Sequence, residues 1–375
     1  RNCGNDNARS AVGQAIDRTT HYFDHLREWI ESMDMNLFRY SHPGSIPDQL
    51  ADTYDSTCSL LRSIARDEDE PEERTKEIGS LAERLYEYRK GLHAFLDMTL
   101  EDHVYWLEKY GRNGISLNAV PIEVAPLLRE AVFQSDFISV VTSATLAVRG
   151  KMTYFQQRIG ADNAESLVLS SPFDFRNQVT FYVPGEMPNP NDTERFIPEA
   201  CRKIQYLLSL SSGKAFVLFT SYRMMREAAT RLKDYCREKN LRLLVQGEGL
   251  PRSRMLETFK EDTNSVIFGT SSFWMGVDVP GQSLSNVIIV KLPFAVPDHP
   301  LMAARQELLE EEGRNPFWHY ALPEAVLKFR QGFGRLIRSR NDTGMISVLD
   351  NRIITSRYGK MFLDSVPECP RHTLP

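Results

Sequence analysis

The chain has 375 residues, of which 42% are hydrophobic and 25% charged, proportions that exclude a mostly disordered or fibrous protein. The length favours two or three domains, and no apolar run approaches the roughly 20 residues of a membrane-spanning helix. The formal net charge of −5 is divided unevenly, because residues 1–112 carry 14 basic and 22 acidic side chains (net −8) and the remainder carries 31 and 28 (net +3). If a polyanion binds, we expect it to bind the C-terminal part.

The N-terminus and the cysteines indicate the setting of the chain. The first six residues contain neither an initiator methionine nor the apolar core of a signal peptide, so we expect the chain to begin within a longer protein. The cysteines form no C-x-x-C pair, which argues against both a disulfide scaffold and a zinc site and favours a reducing, cytoplasmic location. They are Cys3, Cys58, Cys201, Cys236 and Cys369.

The first hundred residues predict three amphipathic helices. Apolar side chains recur at three- and four-residue steps from Val12 to Met33, from Leu50 to Ile64 and from Ile78 to Phe95. Between the last two stripes, residues 66–73 are strongly acidic and contain Pro71. We interpret this segment as a solvated loop or helix N-terminus; an acidic contact for a basic partner is the alternative.

The pattern changes after His103, where two short strands flank an Asn-Gly turn at residues 110–114 and predict a hairpin. From there, continuous apolar strands alternate with helices, which is typical of a mostly parallel sheet covered on both faces. The fold class predicted is therefore α/β. The predicted strands are Phe137 to Thr142, Val179 to Val183, Ala215 to Thr220, Leu241 to Val245, Ser265 to Phe268, Asn286 to Val290 and Met345 to Leu349, and the predicted helices include Glu194 to Leu210, Tyr222 to Asn240 and Phe317 to Ser339.

Two of the strand exits carry small hydroxyl residues, at the sheet edge where ligands of such folds bind. Residues 142–145 read Thr-Ser-Ala-Thr; they could bond a phosphate, a water or a carboxylate, although capping of the next segment is the simpler interpretation. Residues 219–223 read Phe-Thr-Ser-Tyr-Arg at a helix start. Thr220, Ser221 and the backbone amides there suit a nucleic-acid phosphate, with an ordinary N-cap as the alternative.

A more specific segment is residues 268–281, FGTSSFWMGVDVPG. Its glycines offer amides to a phosphate, Trp274 an aromatic face that we expect to be exposed and Asp278 a carboxylate acceptor. Alone, the tryptophan would be a core or lid residue and the aspartate a turn residue. The combination of these groups in one loop favours a binding site over an ordinary loop.

Residues 331–338, QGFGRLIR, lie within a predicted helix. Spacings of four and three place Gln331, Arg335 and Arg338 on one stripe. Because two glycines cost a helix roughly 1 kcal/mol each, some close approach must require them. Two arginines on one stripe can clamp a triphosphate; a salt-bridged helix face is the alternative.

The nucleotide-binding loop G-x-x-x-x-G-K-[ST] does not occur in the sequence. Residues 211–215, SSGKA, contain its Gly-Lys without the earlier glycine or the following hydroxyl, and there is no Asp-Glu-x-His box for Mg²⁺. The chain thus has arginines that would complete a nucleotide site but lacks the loop that would hold the nucleotide.

Taken in order, these segments resemble the C-terminal half of a superfamily 2 DNA helicase of the DinG/XPD type. Residues 142–146 resemble helicase motif III, 218–222 motif IV, 269–281 motif V and 331–338 motif VI. Flanking stretches resemble the family as well: Ser171-Pro172-Phe173, Leu292-Pro293-Phe294, Pro297 to Pro300, Leu349-Asp350 with Arg352, and Tyr358-Gly359-Lys360.

The resemblance implies roles for individual residues. Arg335 and Arg338 would contact the γ-phosphate, with Gln331 and Asp278 linking nucleotide to DNA, and Gly276 would belong to the nucleotide site. The coupling of hydrolysis to domain movement would fall to Thr142, Ser143, Ala144 and Thr145. The residues along the DNA path would be Thr220, Ser221, Tyr222, Thr270 and Trp274.

The resemblance also implies an architecture and an activity. Residues 1–103 would form a helical arch-like domain, 104–160 a hairpin and the end of the first RecA-like motor domain with motif III, and 161–375 the second RecA-like domain. The parent would be an ATP- and Mg²⁺-dependent 5′ to 3′ DNA helicase of DNA repair, monomeric, not in a membrane, acting on single-stranded DNA. The iron-sulfur cluster of many members would lie outside this segment.

This sequence departs from the family pattern because it lacks the first motor domain with motifs I and II. We expect that domain to be the partner of this chain in one longer protein. The isolated chain is therefore expected to be inactive as an ATPase. The alternatives are a non-catalytic single-stranded nucleic-acid-binding module and an RNA helicase, since no residue indicates how a 2′-hydroxyl would be read.

Overall fold

The computed structural model describes residues 6–67, 71–111, 113–134, 136–262, 264–274, 284–295 and 299–375. The chain divides into two compact units, one formed by Arg1–Val124 with Pro297–Leu308 and the other by Ala125–Val296 with Leu309–Pro375. The predicted hairpin therefore lies in the same unit as the N-terminal helices, and this unit extends past residue 103. Within the described residues, no helix combines the length and apolarity needed to cross a bilayer.

The first unit packs three N-terminal helices, and residues 300–308 of a later helix, on a small antiparallel sheet. The helices are α1 (Asp6–Ser32), α2 (Ala51–Ile64) and α3 (Glu72–Leu96), as the apolar stripes predict, and the strands are β1 (Leu37–Tyr40), β2 (His103–Tyr110) and β3 (Gly114–Pro121) in the order β1-β2-β3. Tyr22, Leu26, Phe95 and Tyr105 are among the side chains buried between helices and sheet. Strand β1, which the sequence did not predict, extends the confirmed hairpin.

The hairpin turn and the acidic segment differ in detail from the predictions. Tyr110 pairs with Gly114 in the register of β2 and β3, so three residues connect the strands, and Gly111 has a φ of +60°. The connection is therefore not a two-residue Asn-Gly turn. Glu72 and Glu73 occupy the first turn of α3 directly after Pro71, where their charge complements the helix dipole. Residues 68–70 lie outside the described residues.

The second unit contains a seven-stranded sheet in which every pairing is parallel. The strand order is β10-β4-β9-β8-β5-β7-β6. The strands are β4 (Val179–Pro184), β5 (Ala215–Leu218), β6 (Arg242–Val245), β7 (Ser265–Gly269), β8 (Asn286–Ile289), β9 (Gly344–Val348) and β10 (Arg371–Leu374). Two buried apolar clusters include side chains from alternate positions of the central strands, so the predicted α/β fold is confirmed.

Helices cross over between these strands. Among the described residues the other helices are α4 (Ala125–Leu128), α5 (Thr153–Ile159), α6 (Phe175–Gln178), α7 (Thr193–Ser211), α8 (Tyr222–Glu238), α9 (Arg252–Glu261), α10 (Ser271–Trp274), α11 (Pro300–Glu311, which lies mostly in the first unit), α12 (Leu322–Phe333), α13 (Arg352–Thr355) and α14 (Gly359–Leu363), with π-helical turns at Arg129–Phe133 and Phe317–Ala321. Helix α7 begins after Asp192, whose carboxylate accepts a hydrogen bond from the amide of Arg195.

One predicted strand is wrong. Residues 137–142 have no regular structure, and their apolar side chains are exposed: Phe137 is 83% and Ile138 96% accessible. A buried parallel strand needs neighbours for its amides and for both of its faces. Within the described residues no strand pairs with this segment. The apolar run by itself therefore did not decide whether a strand forms.

Candidate nucleotide and nucleic-acid site

The candidate site lies at the carboxyl edge of the parallel sheet in the second unit. Strands β5, β6 and β7 are neighbours there, and their exits remain tied together beyond the last paired residues. The amide of Phe219 donates to the carbonyl of Gly269 at 2.8 Å, and the amide of Gln246 donates to the carbonyl of Phe268 at 3.0 Å. The residues that follow these three strands are consequently held close together.

The segment after β5 forms the start of helix α8. Ser221 is its N-cap, since the Ser221 hydroxyl accepts a hydrogen bond from the amide of Met224 at 3.3 Å. Capping, the simpler of the two interpretations of this segment, is thus confirmed for Ser221. Thr220 is half-buried and Tyr222 is 46% exposed. Their proposed contact with DNA stays a prediction.

Gln246, which the sequence did not single out, connects the exits of all three strands. Its side-chain oxygen accepts hydrogen bonds from the amide and the hydroxyl of Thr270, at 2.7 and 3.0 Å. Its nitrogen donates to the hydroxyls of Tyr222 and Ser272, at 2.7 and 2.9 Å. Two residues predicted from motifs IV and V, Tyr222 and Thr270, are therefore joined through a third side chain. The only sequence signal was a glutamine directly after a predicted strand.

The predicted exposure of Trp274 is wrong. Its side chain is fully buried, and its ring nitrogen donates to the carbonyl of Phe219 at 3.1 Å. Lys328 lies over the ring, 5.9 Å from its centroid, and burial lowers the pKa of this lysine. A ring without accessible surface cannot stack on a base, so the aromatic face expected of Trp274 is not available, while its place along the DNA path stays a prediction. It was misjudged because a large aromatic in a glycine-rich segment gives no sign of which side chains will cover it.

One motif VI glycine permits the burial of Trp274. A Cβ atom built on Gly332 would lie 2.8 and 2.9 Å from two ring carbons of Trp274, closer than packed atoms approach. The predicted need for a close approach is therefore confirmed at Gly332, which lies within helix α12. At Gly334 the nearest atom to such a Cβ is the carbonyl oxygen of Arg330, 3.3 Å away.

We expect Gly332→Ala to destabilise the chain by about 1–3 kcal/mol, because an extra methyl in this contact forces the indole or the helix to move. Gly91→Ala in α3 is the matched control, since a Cβ at Gly91 meets nothing within 4 Å. The control should stabilise by about 0.5–1 kcal/mol. Urea denaturation followed by circular dichroism measures both; equal effects of the two substitutions would contradict the packing argument.

Side chains of helix α12 also donate hydrogen bonds to the segment that resembles motif III and to the residues that follow it. The side-chain nitrogen of Gln331 donates to the hydroxyl of Thr145 over a long 3.5 Å, and Arg330 donates to the carbonyl of Ala147 at 2.8 Å. Burial lowers the pKa of Arg330. Thr142, Ser143 and Ala144 are exposed, and the Ser143 hydroxyl accepts from the amide of Thr145 within the motif itself, where no helix begins. The contact between Gln331 and Thr145 places two predicted site residues side by side.

The two arginines of motif VI do not share a helix stripe, because α12 ends at Phe333. Arg335 donates from Nε and Nη2 to the carbonyl of Trp274, at 3.0 and 2.7 Å. Arg338 lies in a turn that the Asp342 carboxylate closes by accepting from the amides of Arg338 and Ser339, both at 2.8 Å. Burial raises the pKa of Asp342, but these hydrogen bonds and the charge of Arg338 outweigh it and lower the pKa overall.

The helix prediction failed beyond Phe333 for a local reason. The glycines at 332 and 334 weaken the helical pattern, and a carboxylate that accepts two successive amides stabilises a turn in place of a further helical turn. The predicted residues Gly276 and Asp278 lie outside the described residues. Among the residues that are described, no group of three or more His, Cys, Asp or Glu side chains is arranged to hold a metal ion.

A buried ion pair lies beyond the adjoining strands β8 and β9. Asp350 is fully buried and accepts from Arg352 Nε and Nη2, at 2.9 and 2.6 Å, and from the amide of Leu292 at 2.9 Å. Burial alone would lower the pKa of Arg352, but the hydrogen bonds and charge of Asp350 raise it. Burial and the charge of Arg352 lower the pKa of Lys291, which Asp350 partly offsets. Asp350 thereby fixes the strand exit at Leu292.

Comparisons with known proteins agree with this architecture. The family model of the helicase C-terminal domain matches residues 204–369. The 3'-5' exonuclease DinG of Bacillus subtilis (strain 168) is 39% identical over 275 residues, covering 71% of this chain and 30% of the relative. The ATP-dependent DNA helicase YoaA of Haemophilus influenzae is 39% identical over 301 residues, covering 80% and 46%, and the ATP-dependent DNA helicase DinG of Photobacterium profundum is 31% identical over 394 residues, covering 95% and 56%.

Solved structures extend the similarity of fold to most of the chain. The structure of S. tokodaii Xpd4 superposes with a TM-score of 0.59 at 16% identity, covering 94% of this chain and 66% of that one. At so low an identity the likeness concerns the fold alone, a RecA-like α/β domain. The chain spans between 30% and 56% of the length of the three curated relatives described above. Residues 204–369 therefore match the helicase C-terminal domain family, and the chain is similar to part of the DinG and YoaA helicases.

Proposed function

We propose that this chain supplies the arch-like and second motor domains of an ATP-dependent DNA helicase that moves 5′ to 3′ on single-stranded DNA. The observation that carries the proposal is the carboxyl edge of the parallel sheet, where Gln246 joins Tyr222 of motif IV to Thr270 of motif V. Arg335 of motif VI donates to the carbonyl of Trp274, at the end of the motif V helix α10. Nucleic-acid and nucleotide contacts would thus be connected through packed residues of one unit.

The proposal gives the site residues distinct roles. Arg335 and Arg338 would contact the γ-phosphate of ATP, where guanidinium groups stabilise the charge that develops during phosphoryl transfer. Gln331 would relay the nucleotide state to Thr145 and the rest of motif III through the contact between their side chains. Thr220, Ser221, Tyr222 and Thr270 would lie along the DNA, while Trp274 supports Arg335 through its backbone carbonyl and does not stack on a base.

A first motor domain is the partner that the proposal requires. It would bring the phosphate-binding loop and the Mg²⁺ ligands, and we assign no residue of this chain to the metal ion. Exposed apolar side chains support the proposal of a partner surface in the second unit, among them Phe137, Ile138, Val140, Leu167 and Leu169. Exposed apolar patches of this kind are typical of surfaces that another domain covers.

The proposal predicts that the 375-residue chain binds single-stranded DNA and hydrolyses no ATP by itself. Fluorescence anisotropy with a labelled dT oligonucleotide, repeated at several salt concentrations, should give an association constant that falls linearly on a log-log scale, because phosphate contacts release counterions. ATP turnover by the chain alone would contradict the assignment of the nucleotide-binding loop to another domain.

Two further outcomes distinguish the alternatives. Equal affinity for DNA and RNA oligonucleotides, with unwinding of RNA duplexes once a first motor domain is added, would favour an RNA helicase. Binding of DNA that remains without any ATP hydrolysis after that domain is added would favour a non-catalytic binding module.

A further inference from the structure

Gln246 uses every hydrogen-bonding position of its side chain within the second unit. A primary amide has two N–H donors and an oxygen with two acceptor sites. The oxygen accepts from the amide and the hydroxyl of Thr270, and the nitrogen donates to the hydroxyls of Tyr222 and Ser272. The orientation of the side-chain amide is unambiguous, because the backbone N–H of Thr270 can only donate and must therefore face the oxygen.

Because Gln246 donates to the hydroxyls of Tyr222 and Ser272, the hydrogens of these two hydroxyls cannot point at the Gln246 nitrogen. The oxygens of Tyr222 and Ser272 both accept from Gln246, so each hydroxyl must direct its own hydrogen to another acceptor. The two oxygens are less than about 6 Å apart, since both lie within 2.9 Å of one nitrogen. Tyr222 is partly exposed and Ser272 is half-buried, whereas Thr270 is buried and donates back into the amide. The sheet edge thus presents a pair of hydroxyl donors.

The chemistry of this pair suits an anionic oxygen. A phosphodiester offers acceptors and no donors, and two donors at this separation can engage the non-bridging oxygens of one phosphate. The guanidinium of Arg226 lies 6.0 Å from the centroid of the Tyr222 ring and places positive charge near that side chain. Contacts of this kind position a nucleic-acid backbone without reading its sequence.

We propose that Gln246 is a positioning residue that directs the hydroxyl hydrogens of Tyr222 and Ser272 toward one phosphodiester of bound single-stranded DNA. The inference rests on the proposed function and adds to it a residue that touches no DNA itself. It also specifies why an amide is needed at position 246. An amide donates to the two hydroxyls and so turns their hydrogens outward, whereas a group that only accepts would turn them inward.

Gln246→Glu tests the direction of these hydrogen bonds, because it preserves the size of the side chain and its bonds to Thr270. A carboxylate can only accept, so Tyr222 and Ser272 would have to donate to it and would no longer donate to DNA. The new negative charge would also repel DNA. The matched background is therefore the double variant Tyr222→Phe/Ser272→Ala, which has no hydroxyls to reorient and in which Gln246→Glu measures the charge effect alone.

The experiment is a double-mutant cycle on the full 375-residue chain, with dissociation constants for a dT oligonucleotide measured by anisotropy at one salt concentration. We expect Gln246→Glu to weaken binding about 10-fold or more beyond its effect in the double-variant background. A purely structural role for Gln246 would give the same weakening in both backgrounds and would overturn the inference while leaving the proposed function intact.

A further comparison of single variants, and the binding of the unmodified chain itself, keep the test decisive. If Gln246→Glu lowers the unfolding midpoint, Tyr222→Phe and Ser272→Ala are compared singly; each should weaken binding by several-fold with an unchanged midpoint, and two variants that bind as tightly as the unmodified chain would overturn the inference. If the unmodified chain fails to bind the oligonucleotide at all, the proposed function fails and the inference fails with it.

Discussion

ATP hydrolysis is expected to fall about 10³- to 10⁵-fold when Arg338 is replaced with alanine in an enzyme that combines this chain with a first motor domain. A guanidinium that approaches the γ-phosphate stabilises charge that is greatest in the transition state, so its removal lowers kcat more than it weakens nucleotide binding. Steady-state phosphate release at saturating DNA measures the effect. Binding of single-stranded DNA should remain, because the hydroxyl residues of the sheet edge are unaltered.

Arg338→Ala is a better probe than Arg335→Ala. Arg335 donates twice to the Trp274 carbonyl, so its removal also disturbs the packing of motif V. Two variants serve as controls: Arg340→Ala, which removes an exposed arginine two residues away, should leave hydrolysis unchanged, and Arg338→Lys should remain strongly impaired because an ammonium lacks the planar fork. Full hydrolysis by Arg338→Ala, or loss of DNA binding with hydrolysis retained, would contradict the role assigned to Arg338.

The second large effect concerns stability. We expect Asp350→Ala to lower the free energy of unfolding of the second unit by about 3–5 kcal/mol, because it leaves the partly buried guanidinium of Arg352 without its carboxylate. The amide of Leu292 loses its acceptor in the same substitution. Urea denaturation monitored by tryptophan fluorescence measures the change.

Glu368→Ala is the matched control for Asp350→Ala. Glu368 pairs with Arg176 across the surface of the same unit, with both side chains largely exposed. An exposed ion pair contributes only about 0–1 kcal/mol, so this variant should unfold close to the unmodified chain. Equal destabilisation by the two substitutions would show that burial of the Asp350 pair does not have the consequence argued above.

The residues of the candidate site were predictable to different degrees. Tyr222 and Thr270 could be identified from their positions directly after strands, because parallel strands bring their exits to one edge. Gln246 could not be identified, since a glutamine after a strand is common and its four hydrogen bonds depend on residues 24 and 26 positions away. Trp274 was misjudged for the same reason: its burial depends on Gly332 and Phe219, which are distant in sequence.

The geometry of the motif VI arginines illustrates the limit of periodicity. Spacings of three and four place residues on one stripe only if the helix continues, and α12 ends at Phe333. The end of the helix is decided by Gly334 and by Asp342, a carboxylate that closes the following turn from outside the predicted helix. Arg335 and Arg338 are therefore positioned by two different contacts and not by a common helix face.

By itself, the sequence determined the α/β class, six of the seven strands of the parallel sheet, the three N-terminal helices, the hairpin and the similarity to DinG-type helicases. These properties follow from local periodicity and from short motifs, and both are read within one stretch of chain. Only the tertiary structure decided that residues 137–142 form no strand and that Trp274 is buried against Gly332. It also decided that β1 belongs to the antiparallel sheet and β10 to the parallel sheet. Each of these depends on a partner distant in the chain, because backbone hydrogen bonds between strands and the burial of a large side chain both require a second surface that local sequence does not specify.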